Sequence, residues 1–185
     1  MTNETEYDFR DGNGPVAAHR HSNGGGWVAD TAYVDDSAFV GPTAFIFGSA
    51  MVYGSARVFG NAKVFDNAMI YGNGWVYGSA MVFGNGWVWG NAMIFGNAWI
   101  YSNARVCGNA NITNSVLTAS RSDGYIFTIF DEADGTTRIT AGCRFFTIPE
   151  AIEHWTKTRG DTKLGLESIA IVKYLEYMHS LEDMK

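Results

Sequence analysis

The stretch "GNGWVYGSAMVFGNGWVWGNAMIFGNAWIY", residues 72–101, decides the fold. A glycine stands at every sixth position, and Trp, Met, Phe and Tyr crowd the positions between. The same six-residue frame extends outward without insertion from Gly24 to Thr113, giving fifteen hexads. Position five is Val or Ile in all fifteen, and position three is Ala in twelve and Gly in three. Position one is usually Gly, and position two is Asn or Ser in most. Such a period takes precedence over local propensity, because each unit must bury its apolar face against its neighbours.

A β-branched residue with a small residue two positions before it suits a short strand, with both side chains on one face. The Gly-Asn or Gly-Ser pair tolerates left-handed backbone conformations and serves as a corner. Three strands and three corners close a triangular coil of eighteen residues, so fifteen hexads give five coils. At roughly 4.8 Å per stacked strand layer, the prism is on the order of 24 Å long.

The pattern V-x-G-N-A-x resembles the hexapeptide repeat of left-handed β-helix proteins, in which an aliphatic residue and a small residue four positions later fill a narrow core. "NGGGWVADTAYV" (23–34) and the recurring "VFGNA" also resemble hexapeptide-repeat proteins encoded in phages and prophages. The resemblance covers residues 24–113 and extends more weakly into the tail. It implies a mainly β chain, a left-handed parallel β-helix of about five triangular coils, of a kind commonly found as trimers.

If positions three and five point inward, positions four and six point outward. Those thirty outward positions hold seventeen aromatics and four Met. Monomers rarely expose apolar patches beyond a few hundred Å², so the expectation is self-association, with two faces of each prism packed around a threefold axis. The isolated cations Arg57, Lys63 and Arg105 sit among Trp75, Trp87, Trp89 and Trp99. Aromatic ledges of this kind between protomers are expected to stack a planar ligand such as a nucleobase.

A solenoid needs capped ends. Residues 1–23 are expected to cap the first coil, with His19, Arg20 and His21 hydrogen-bonded there rather than holding a metal. Residues 114–185 read as a separate ββαα module packed on the last coil. "GYIFTIF" and "TRITAGCRFF" flank the acidic turn "DEADGT" as a hairpin. "TIPE" (147–150) is a capping box that starts a helix ended by Gly160. A second helix from about Lys163 has Ile171, Tyr174, Leu175, Met178 and Leu181 on one side.

This tail, with "SRSDGYIF" followed by "AGCRFFTIPEAIEHW", resembles one seen on phage-type repeat proteins. The resemblance singles out Arg121, Asp123, Cys143, Arg144, His154 and Trp155. A structural reading stands beside it: Arg121 pairs with an acid, and Cys143 and Trp155 are buried. Arg121, Arg138 and Arg144 are expected to cluster in the hairpin, where bidentate contacts suit a phosphate.

Charge and composition exclude other classes. The net charge of −6 disfavours a groove for long nucleic acid. Two cysteines make neither a disulfide framework nor a metal set. The N-terminus has no apolar signal core and no run reaches eighteen apolar residues, so a cytoplasmic protein without a membrane span is expected. Acyltransferases of this fold use a histidine base on a coil, and related carbonic anhydrases bind zinc through coil histidines. The fifteen hexads contain no His and no inserted loop. A Cys143/His154 thiol pair has no third partner. The expectation is therefore a non-catalytic, cofactor-free homotrimer, a phage-type accessory protein that sequesters a small anionic, nucleotide-like ligand. The alternatives are a scaffold presenting residues 114–185 to a protein partner, and an acyltransferase-like enzyme, kept because the fold hosts many.

Overall fold

Every hexad forms a short strand centred on its fourth and fifth positions, then turns a corner. In the computed structural model, which describes residues 5–182, these strands run from β3 (Trp27–Ala29) to β17 (Asn111–Ile112). Each pairs in parallel with the strand one coil on: Trp27 with Phe45, Met69 with Trp87, Trp75 with Met93. Three parallel sheets become the walls of a solenoid of about five coils. The first wall carries Trp27, Phe45, Lys63, Met81 and Trp99 at position four. The second carries Tyr33, Met51, Met69, Trp87 and Arg105, and the third Phe39, Arg57, Trp75, Met93 and Asn111.

The interior follows the two-residue alternation. From Ala38 to Ile112 the inward Ala, Val and Ile side chains are fully buried. Only Ala32 and Val34, in the first coil, are partly exposed. Full burial of each Val or Ile contributes about 1.5–3 kcal/mol, and a bore this narrow has no room for a polar partner.

The corners explain the glycines. Position one is left-handed in every hexad from Gly48 to Gly108. Asp66 and Ser102 stand there too, each at φ 58°, a conformation that costs a residue with a Cβ about 1–2 kcal/mol. Asp66 offsets part of this, since its Oδ2 accepts the Gly84 N–H at 3.0 Å. Position two stacks its amides into ladders along the corners: Asn67 donates to Asn85 and Asn85 to Asn103, at 3.4 and 3.2 Å.

Strands β1 (Thr5–Tyr7) and β2 (Val16–Arg20) extend the first wall antiparallel beyond β3. The cap also folds over the outer surface. Tyr7 stacks on Trp27 at 4.4 Å between centroids, and Phe9 on Phe47 at 4.9 Å. His19 Nδ1 lies 2.8 Å from Asp30, and His21 Nδ1 accepts the Asn23 N–H at 3.3 Å, so both imidazoles are engaged in hydrogen bonds.

The tail differs from the expected hairpin. It is an antiparallel meander of β18 (Leu117–Ser120), β19 (Ile126–Asp131), β20 (Thr137–Ala141) and β21 (Arg144–Thr147). The turn at Gly142 and Cys143 splits "TRITAGCRFF" into two strands, and residues 117–120 add a fourth. Thr147 caps α1 (Ile148–Arg159) with the complete capping box, and Gly160 follows its last turn.

In α2 (Lys163–Glu182) the buried stripe is Ser168, Val172, Leu175 and His179. Tyr174 and Leu181, expected on the same side as Leu175, are 55% and 38% exposed. Polar residues replace them because Arg121 Nη1 donates to Ser168 at 2.9 Å, and His179 Nε2 meets Asp131 at 2.8 Å.

Candidate functional site

The tail docks on the end of the second wall, where it grips one residue from both sides. Thr140 Oγ1 donates to the Arg105 carbonyl at 2.6 Å, and the Arg105 N–H donates to Thr128 Oγ1 at 3.1 Å. Two residues on, the outward Cys107 is covered by the tail, its thiol 3.7 Å from the Gly142 carbonyl. Burial, with Cys143 nearby, pushes that thiol up to about 11, so it stays protonated near neutral pH.

Pinned in this way, Arg105 lays its guanidinium over Trp87, 4.9 Å from the ring centroid. Between this pair and the tail's loop lies a cleft of about 210 Å³, lined by Asn85, Trp87, Asn103, Arg105, Gly124 and Ile126. Sites for drug-sized ligands span roughly 300–1,000 Å³, so the cleft fits one ring system or a comparable fragment. Its contents are complementary: an indole face, a guanidinium, and the last amides of a corner ladder. Arg105 has no carboxylate partner among the described residues.

The other singled-out residues divide by location. Arg57 lies on the third wall, 5.0 Å from Phe39 and 5.2 Å from Trp75. Trp89 stacks on Tyr71 in the second wall. Trp75 and Trp99 are 37% and 45% exposed, on the third and first walls. Thus Trp87 and Arg105 are brought together on the second wall and Arg57 and Trp75 on the third, while Trp99 stands on the first.

Of the three tail arginines expected to cluster, Arg121 and Arg144 both approach Trp155, and Arg138 stands apart over Phe145. Arg121 is buried, grips both oxygens of Asp123 at 2.9 and 2.8 Å, and bonds Ser168. Arg138 bonds Glu132 at 3.2 Å and lies 3.9 Å from Glu150. Arg144 sits at the opposite end of the β20–β21 pair and donates to His154 Nε2 at 2.8 Å. Trp155 is core, as the structural reading has it, but Cys143 is exposed because it occupies the turn.

The Arg121 guanidinium holds the Asp123 carboxyl down at about 2. A lowered carboxylate stabilises the folded state above its ordinary value of 3.8 and loses that contribution as pH falls toward 2. Near-ultraviolet dichroism is therefore expected to report loosening of α2 from the tail sheet in this window. Asp123→Asn should already show weakened docking at pH 5 and lack that step. An identical acid profile in the two proteins would exclude the pair as the latch.

Residue spacing missed Asn85, Asn103, Gly124 and Ile126, which reach the cleft only through coiling and tail docking. It also missed Arg159, four residues after Trp155 and thus on the same side of α1, a spacing that was legible. Among the described residues, no three His, Cys, Asp or Glu side chains gather as a metal set, and no helix is long and apolar enough to cross a membrane.

Comparison with known proteins adds one finding. Residues 62–78 match the family model described as the YdcK beta solenoid repeat. The match spans about one coil of the wall architecture, and with the five stacked coils it makes the chain a β-solenoid repeat protein. No curated protein and no solved structure matches it.

Proposed function

We propose that the chain is a non-catalytic, self-associating β-solenoid that captures a small planar anionic ligand in the cleft between its last coils and its tail. The observation that carries this reading is the uncommitted Arg105 guanidinium lying 4.9 Å over Trp87 in a cleft of about 210 Å³. Stacking supplies sequence-tolerant affinity for a base-like ring, and the guanidinium supplies charge. The coil backbone is fixed by ladders on every wall, so little ordering is needed on binding. Trimerisation would cover the outward aromatics of two walls and leave the cleft open to solvent. The sequence resemblance to phage-type hexapeptide proteins supports an accessory role, the removal of a nucleotide-like signal of the host. The absence of histidine from residues 24–113 supports binding without turnover.

Native mass spectrometry of protein purified from cells, with thermal shifts across cyclic mononucleotides and dinucleotides, tests the proposal. Binding partners should stabilise the protein by about 2.7 kcal/mol at a hundred times their dissociation constant. Trp87→Ala or Arg105→Gln should abolish the shift without unfolding the chain. An empty protein and a flat panel would defeat this reading.

A second reading rests on α2. Leu166, Tyr174, Tyr177 and Leu181 are 55%, 55%, 63% and 38% exposed along one side of that helix. This stripe supports a scaffold that presents the tail to a protein partner. Capture of a stoichiometric partner, lost on Tyr174→Ser with Tyr177→Ser, would favour it.

A further inference from the structure

Trp155 is 2% exposed, yet three guanidiniums surround its ring. The Cζ atoms of Arg121, Arg144 and Arg159 lie 5.4, 5.7 and 6.0 Å from its centroid. Like charges gathered around one small group repel, so an arrangement of this kind calls for compensating anions. Arg121 has its own in Asp123. Arg144 and Arg159 are exposed and have no carboxylate partner among the described residues.

The surroundings add donors. Arginine cannot accept a hydrogen bond, so His154 Nε2, 2.8 Å from Arg144 Nη1, is the unprotonated acceptor. The other ring nitrogen of a neutral imidazole then carries the proton. Burial and the Arg144 charge hold His154 below its ordinary value, which keeps it neutral near pH 7. The Trp155 indole N–H is buried and has no acceptor. An unpaired buried donor of this kind costs about 1–3 kcal/mol. The Arg121 guanidinium also lies 4.7 Å from the ring of Tyr125, whose hydroxyl donates to the Ala141 carbonyl at 2.7 Å. The three guanidiniums therefore converge on one place.

We propose that Arg144 and Arg159, at the Trp155 edge of the tail, form a second binding site, one for the phosphate group of a small soluble ligand. The Arg159 fork and the donors of Arg144 that His154 does not use match a tetrahedral oxyanion that accepts several hydrogen bonds, and a neutral His154 raises no objection to it. The site is separate from the Trp87–Arg105 cleft and stands whether or not that cleft binds a ligand.

Calorimetric titration of the full chain with inorganic phosphate and pyrophosphate, at matched ionic strength in chloride, decides the matter. Arg159→Gln and Arg144→Gln should each weaken binding about tenfold, the loss of one charge-assisted contact, and the double variant should abolish it. Arg159 is exposed on the last turn of α1, so its variant keeps the fold and carries the test if Arg144→Gln does not. The Trp155 indole proton, assigned through Trp155→Phe, should shift on adding phosphate. No measurable binding of either anion overturns the proposal, as does binding that survives the Arg144/Arg159 double variant.

Discussion

Val82→Asp is expected to abolish cooperative folding of the solenoid, whereas Phe83→Asp, one residue on, leaves it folded. Val82 is fully buried, pairs with Val64 and Ile100 of the adjacent coils, and shares an all-apolar buried cluster with Ala80 and Ala98. An unpaired carboxylate there is either protonated at a large pKa cost or forces the coil open. The effective penalty is several kcal/mol, comparable with a whole domain's stability of about 5–15 kcal/mol. Phe83 points outward, with stacking partners Phe65 at 5.0 Å and Tyr101 at 5.6 Å. Its replacement removes three aromatic contacts, the third an edge-on one with Trp99 at 6.2 Å, each worth about 0.5–1.5 kcal/mol. Far-ultraviolet dichroism and thermal melts of the two variants separate the outcomes. Equal melting temperatures would show that the alternation assigned to positions five and six is wrong.

This contrast marks where the sequence is informative. The six-residue period dictates which side chains face in, because a strand alternates by two and a corner can only be made by residues that accept a left-handed backbone. The walls, their eighteen-residue register and the capping box of α1 all follow from spacing alone. The cleft does not. Arg105 and Trp87 are one coil apart in the same wall, so their stacking is legible, but Gly124 and Ile126 approach them only when the tail docks through Thr128 and Thr140. The tail itself is aperiodic, so its strand count and the buried side of α2 depend on tertiary partners. Ser168 and His179 are buried in place of Tyr174 because Arg121 and Asp131 need hydrogen-bond partners there. A guanidinium such as Arg121 reads from sequence as a free cation, and only its contacts with Asp123 show that it is spent on structure.

Substituting Trp75 and Trp99 with Glu is expected to convert a trimer into a monomer of the 20.3 kDa chain. These two indoles are among the most exposed large apolar groups of the solenoid, at 37% and 45%. They project from the third and first walls, which meet at a corner. The second wall is occupied at its end by the tail and the cleft, and the first is covered at its start by Tyr7 and Phe9. The third wall meets the cap at its start, where the Val40 N–H donates to the Asn23 carbonyl, and the tail at its end, where the Asn111 N–H donates to Glu132; between them it carries the Phe59–Tyr77–Phe95 stack at 4.9 and 5.0 Å. A threefold axis that sets the first wall of one protomer against the third wall of the next closes after three copies and leaves the second wall, with its cleft, facing solvent. Each interface then holds one Trp75 and one Trp99. Loss of their contacts, about 2 kcal/mol per indole, and the burial of two carboxylates together raise the dissociation constant a thousandfold or more, since each 1.4 kcal/mol is tenfold. Sedimentation equilibrium reads the masses directly. Unchanged dichroism would show that the variant keeps its coils, as expected for two outward positions. A wild-type protein that sediments as a monomer would leave these walls uncovered in solution and refute the trimer, whereas a variant that stays trimeric would move the axis to the second wall.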